Sequence, residues 1–89
     1  MHAVVVRVRV NDVETAQKML GERVVPRVQQ LQGFMTGYWT RSENDGLSMI
    51  VFDSEENARQ AADEVQANMP PGEAVTFESA EVREVVAKA

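Results

Sequence analysis

Cysteine is missing from this sequence, and histidine occurs once, as His2. Without thiols there are no disulfides, no thiolate metal sites and no cysteine nucleophiles. One imidazole per chain leaves no histidine set for a zinc or non-heme iron centre, so no metal or other cofactor is expected. His2 itself reads as an ordinary side chain at the frayed start of a strand. Basic residues are scarce, with nine Lys and Arg against fourteen Asp and Glu, a net charge of −5. Nucleic-acid binders usually carry a basic patch or stripe, and beyond Arg7 and Arg9 none exists here. Neither nucleic acid nor an anionic membrane surface is an expected partner. No apolar run approaches the roughly 18 residues that a membrane span requires. The opening Met-His-Ala-Val lacks the basic and apolar regions of a signal peptide. Together with the missing cysteines, which fit a reducing compartment, this leads to the expectation of a cytoplasmic protein. No Ser/His/Asp set, glycine-rich phosphate loop or carboxylate pair stands out, and no catalytic residue is assigned.

What the chain does have is a regular plan. Its 89 residues suffice for one domain, 1–89, near the lower limit of what burial alone stabilises. The stretch Gly33-Phe34-Met35-Thr36-Gly37-Tyr38-Trp39-Thr40-Arg41 leads into the polar cluster Ser42-Glu43-Asn44-Asp45-Gly46, and a second apolar run follows at 47–52. Asp-Gly is a strong turn signal because Gly accepts positive φ. The spacing predicts a β-hairpin with a loop of about four or five residues.

Residues 3–10, Ala-Val-Val-Val-Arg-Val-Arg-Val, form the clearest strand, with Val4, Val6, Val8 and Val10 on one wholly apolar face. Asp12 then offers a helix cap. Val13, Ala16, Leu20, Val24, Val28 and Leu31 make one helical stripe. Pro26 predicts a kink or restart near Val25-Pro26, because it lacks an N–H and crowds the preceding turn. Gly33 is the expected stop. After the hairpin, Asp53-Ser54-Glu55-Glu56 starts a second helix, capped by Asp53 or Ser54 and with capping-box spacing between Asp53 and Glu56. Its stripe of Ala58, Ala61, Ala62, Val65 and Met69 is mostly small, which lets a helix lie close on a sheet. Pro70-Pro71-Gly72 closes it. A last strand spans 74–86, and its apolar parity slips from Val75 and Phe77 to Ala80 and Val82, predicting a β-bulge near Ser79-Ala80.

The order β-α-β-β-α-β is that of the ferredoxin-like α+β motif, a four-stranded antiparallel sheet in the order 4-1-3-2 with two helices on one face. Val5, Met35 or Phe34, Trp39 or Tyr38, Ile50 or Met49, and Val75 or Phe77 leave apolar material for the other face. So large a bare patch is unusual on a monomer, and a second copy of the chain, docked sheet face to sheet face, is its simplest cover.

The opening valine strand, the Val25-Pro26 bend, Gly33-Phe34 and the run Val51-Phe52-Asp53-Ser54-Glu55-Glu56 make the chain similar to the dimeric α+β-barrel superfamily. Within it the chain most resembles the antibiotic-biosynthesis-monooxygenase-like branch. The resemblance covers nearly the whole chain and implies two ferredoxin-like sheets closing into a barrel. It also implies a range of activities, from cofactor-free oxygenation to heme degradation. The heme-degrading branch uses an Asn on strand one and a Trp and a His on helix two. This sequence has Arg7 and Arg9 on strand one and neither residue type between Ser54 and Met69, which argues against heme degradation.

Tyr38, Trp39, Arg41, Arg7 and Arg9 are the candidate ligand-binding residues. If Met35, Gly37, Trp39 and Arg41 line the barrel interior beside Arg7 and Arg9, an aromatic wall meets cations at one end. Such a pocket suits a small hydrophobic, phenolic or anionic ligand. Several of these residues also have a plainer reading. Trp39 can serve as packing at an interface, Arg7 and Arg9 can pair with Glu78, Glu81 or Glu84, and Met19, Met35, Met49 and Met69 can fill the core. Three functions stay open: a small-molecule binder, a cofactor-independent monooxygenase acting on an aromatic or quinol substrate, and a structural or interaction dimer with a filled barrel.

Overall fold

In the computed structural model, which describes residues 1–68 and 74–89, strands β1 His2–Val10, β2 Phe34–Ser42, β3 Asp45–Phe52 and β4 Val75–Glu84 form one antiparallel sheet. Neighbouring strands run β2-β3-β1-β4. The architecture is an α+β fold with an open four-stranded sheet and two helical layers, compatible with the ferredoxin-like plan. Expectations about Met69 and Pro70-Pro71-Gly72 lie outside the described residues. Among the described residues no helix is long and apolar enough to cross a membrane.

The first helical arm runs without interruption from α1 Val13–Met19 through a π-helical segment, Leu20–Val24, into α2 Val25–Gln29. Asp12 caps it: its carboxylate accepts the Thr15 backbone N–H at 3.2 Å and the Thr15 hydroxyl at 2.9 Å. The restart expected at Pro26 takes the form of this wide turn. The Val25 N–H donates to the Leu20 carbonyl, five residues back, and the expanded spacing carries the chain into Pro26, which has no N–H to give. The arm ends at Gln30, and Gly33, with φ of +81°, turns the chain into β2. Helix α3 Glu55–Asn68 is capped by Ser54, whose hydroxyl accepts the Asn57 N–H at 3.2 Å. Asp53 instead accepts the Asn57 side-chain amide at 2.8 Å, so Asn57, not Glu56, answers the cap.

Cross-strand register sorts the side chains into two faces. On one, Val82, Val4, Ile50 and Gly37 form a row across the sheet, flanked by the row Ala80, Val6, Ser48, Trp39. Val4, Val6, Ile50 and Phe52 join Val28, Ala58, Ala61 and Ala62 in the buried core, so both helical layers cover this face. The alanines let α3 settle close to the sheet, whereas the first arm stands further off. The opposite face carries the row Glu81, Val5, Met49, Tyr38 and the row Ser79, Arg7, Leu47, Thr40. Here Tyr38 is 67% exposed and Met49 47% exposed.

Two bulges set this sorting. In β4 the register shifts so that Glu78 is unpaired between Phe77 and Ser79, one residue before the expected site. Phe77, Ala80 and Val82 therefore all face the helices. In β2 a second shift leaves Met35 unpaired, so that Phe34 reaches the helix side. There its ring meets that of Phe52 edge-on, with centroids 6.3 Å apart. Met35 and Met49 are exposed on the chain, contrary to their expected role as core filler. The hairpin is also tighter than its sequence suggests. Ser42 pairs with Asp45, leaving a two-residue connection, Glu43-Asn44, with positive φ at Glu43. The Asn44 amide donates to the Val10 carbonyl at 2.7 Å and the Asn44 carbonyl accepts the Val10 N–H at 2.7 Å, pinning the tip to the end of β1. Gly46 is not in the turn. It is buried in β3, where a Cβ would lie 2.7 Å from Val8 Cγ2.

Candidate functional site

Where the first arm stands away from the sheet it encloses a chamber of about 250 Å³. Val6, Val8, Ser48, Ile50 and Trp39 form its floor, and Val13, Ala16, Leu20, Val24 and Val28 its roof. The volume exceeds the roughly 150 Å³ that admits benzene in an engineered apolar cavity and approaches the roughly 300 Å³ at which typical ligand pockets begin. The polar side chains of the wall are Gln17, Arg41 and Ser48. A second cleft, about 450 Å³, lies between the end of the arm and α3; it is more open and lined mainly by Gln, Asn, Asp and Glu. The apolar chamber, not the larger cleft, has the character of a small-molecule site.

Trp39 is positioned by an absence. Its indole lies over Gly37, where a Cβ would come within 3.0 Å of Cη2 and 3.1 Å of Cζ3. The cross-strand partner of Trp39 is Ser48, so hydroxyl and indole border the same part of the floor. Ser48 is 9% exposed, and its hydroxyl donates to the Val6 carbonyl at 3.5 Å, a long and weak bond for an O–H donor. Arg41 sits at the exposed rim. One of its guanidinium N–H groups donates to the Glu43 carbonyl at 2.8 Å, which steadies the hairpin and orients the head.

The five sequence candidates are therefore split. Trp39 and Arg41 belong to the chamber on the helix side, while Arg7, Arg9 and Tyr38 occupy the open face. The expected single pocket with Arg7 and Arg9 beside Trp39 does not form within the chain, because odd positions of β1 pair across to even positions of β2. Arg7 pairs with Asp45 at 3.5 Å and not with a glutamate of β4; Glu81 pairs instead with Arg83 at 2.8 Å. His2 is more engaged than its terminal place suggests: its Nε2 lies 3.3 Å from Glu55.

Gln17 and Ser48 were missed by sequence reading. Gln17 sits in a polar part of the helix pattern, and Ser48 looks like an ordinary strand serine until the register sets it opposite Trp39. Chemically the chamber can bind but has little with which to abstract a proton. Among its described lining residues there is no carboxylate and no imidazole, and general-base chemistry needs such a group within hydrogen-bond reach. No cluster of three or more His, Cys, Asp or Glu suited to a metal occurs among the described residues. Compared with known proteins, the chain matches no family model and no curated protein.

Proposed function

We propose that this protein binds a small hydrophobic molecule in the chamber between its first helical arm and its sheet, and works as a homodimer joined through the open sheet face. The reading takes the chain as a ferredoxin-like, 4-1-3-2 half of a dimeric α+β barrel, of the antibiotic-biosynthesis-monooxygenase-like kind. The observation that carries the binding role is the apolar chamber itself, closed on one side by the chain's sole tryptophan. Dimerisation is supported by the exposed Tyr38 and Met49 beside half-buried Val5, Leu47 and Val51, with Arg7, Asp45, Glu81 and Arg83 around them. An apolar centre inside a charged rim is the usual anatomy of an interface.

Binding is favoured over oxygenation because the wall lacks a base for a phenolic or quinol substrate. The test uses the tryptophan as reporter. Neutral aromatic probes such as naphthalene are titrated while the indole N–H resonance is followed by NMR, and light scattering gives the mass in the same buffer. A saturable shift of the indole signal and a mass of two chains are expected. An unmoved indole with every probe refutes the chamber, and a single-chain mass at micromolar concentration refutes the dimer. Oxygen consumption with a panel of quinols would turn the reading toward an enzyme.

A further inference from the structure

Resting on the chamber as the ligand site, we infer that its ligand is an aryl carboxylate with a hydrogen-bonding substituent at the far end of the ring, of the 4-hydroxybenzoate type. Three features place three parts of such a molecule. Apolar walls and the Trp39 indole take the ring, because aromatic faces stack favourably in a water-poor site. Arg41 at the rim takes the carboxylate: it is the only charged side chain among the described lining residues. Its planar head matches a carboxylate bidentately, and the bond to Glu43 uses one N–H and leaves others to donate.

Ser48 supplies the third point. A hydroxyl more than nine-tenths buried on an apolar floor ordinarily finds a good partner, yet this one has only the 3.5 Å bond to Val6. A ligand hydroxyl meeting it gains a bond while the serine gives up almost nothing. The two polar points lie in successive rows of the same face. Ser48 pairs with Trp39, and Gly46 pairs with Arg41, so the serine shares the indole's row and the arginine stands one row nearer the hairpin. A ring that meets both carries its two polar groups at opposite ends. A chamber of about 250 Å³ holds one such ring with room for its substituents.

The test compares three probes by titration of the Trp39 indole resonance: 4-hydroxybenzoate, its methyl ester and benzoate. The acid should bind about fivefold more tightly than the ester at low ionic strength, the worth of one rim ion pair. That advantage should shrink in about 0.3 M salt. Arg41→Gln should abolish it and Arg41→Lys should keep part of it. Benzoate should bind about fivefold more weakly than 4-hydroxybenzoate, the worth of one hydrogen bond, and Ser48→Ala should erase that difference. An ester that binds as tightly as the acid, or an Arg41→Gln variant that keeps the preference, overturns this inference and leaves the chamber standing. A hydroxyl preference that survives Ser48→Ala overturns the serine's part. No response to any of the three overturns the chamber as well.

Discussion

The same substitution, glycine to alanine, should have opposite signs at Gly46 and Gly21. At Gly46 a methyl group would sit 2.7 Å from Val8 Cγ2 and 3.3 Å from Val10 Cγ2, well inside the roughly 3.5–4.0 Å of a normal carbon contact. Val8 cannot step aside easily, because a β-branched side chain in a strand is stiff at χ1. Overpacking of this kind costs about 1–3 kcal/mol, and a less flexible unfolded chain offsets about 0.4–1 kcal/mol of that. The net loss is about 1–2 kcal/mol, a fall in Tm of about 5–10 °C for a domain this small. At Gly21 nothing lies within 4 Å of the added methyl. Alanine there should raise stability by about 0.5–1 kcal/mol through helix propensity alone, or about 3–6 °C. Thermal unfolding followed by circular dichroism reads both, at one fixed protein concentration because association makes Tm depend on it. A Gly46→Ala protein as stable as the parent would refute the reasoning, since the close approach would then not explain the glycine.

Three further outcomes are expected. Gly37→Ala should push the indole off its seat, shifting the emission of the single tryptophan and weakening any chamber ligand, while costing about 1 kcal/mol by overpacking; unchanged emission counts against the placement of Trp39. Asp12→Asn should lower the urea midpoint at neutral pH, because the backbone N–H and hydroxyl of Thr15 hold the Asp12 carboxyl below its ordinary pKa. That stabilisation is present above the unfolded-state value of about 4 and is lost as pH falls through the lower folded value, so the two proteins should converge near pH 2; a gap unchanged in acid refutes the charge as its cause. Met49→Lys, at the centre of the open face, should convert the scattering mass from two chains to one without lowering helix content, and a dimer that survives it uses another surface.

Much of the fold was legible because its cues are local. Alternating valines, the Asp12 and Ser54 caps and the parity slip in β4 all act within a few residues, and each appears in the structure close to its expected place. What escaped depends on register. Asp45-Gly46 reads as a turn because glycine is useful in turns, but here it serves the approach of β3 to Val8 and Val10. Nothing in Phe34-Met35-Thr36 announces a bulge, and without that bulge the inward and outward sets of β2 cannot be told apart at both ends. The division of Trp39 and Arg41 from Tyr38, Arg7 and Arg9 follows from this register. The chamber was illegible for a different reason: it arises from the distance between a helical arm and a sheet. That distance is set by how side chains stack between layers and not by any motif.

Both register breaks fall on the outermost strands, at Met35 in β2 and Glu78 in β4, while β1 and β3 pair with each other without a shift. An unbroken flat border invites a neighbouring chain to extend the hydrogen-bonded ribbon indefinitely. A border with a hitch in its backbone, edged by Glu78, Glu81 and Glu84 on one side, does not. Its margins are thereby poor templates for fibrous growth, which leaves the broad surfaces of sheet and helices as the better ground for contact.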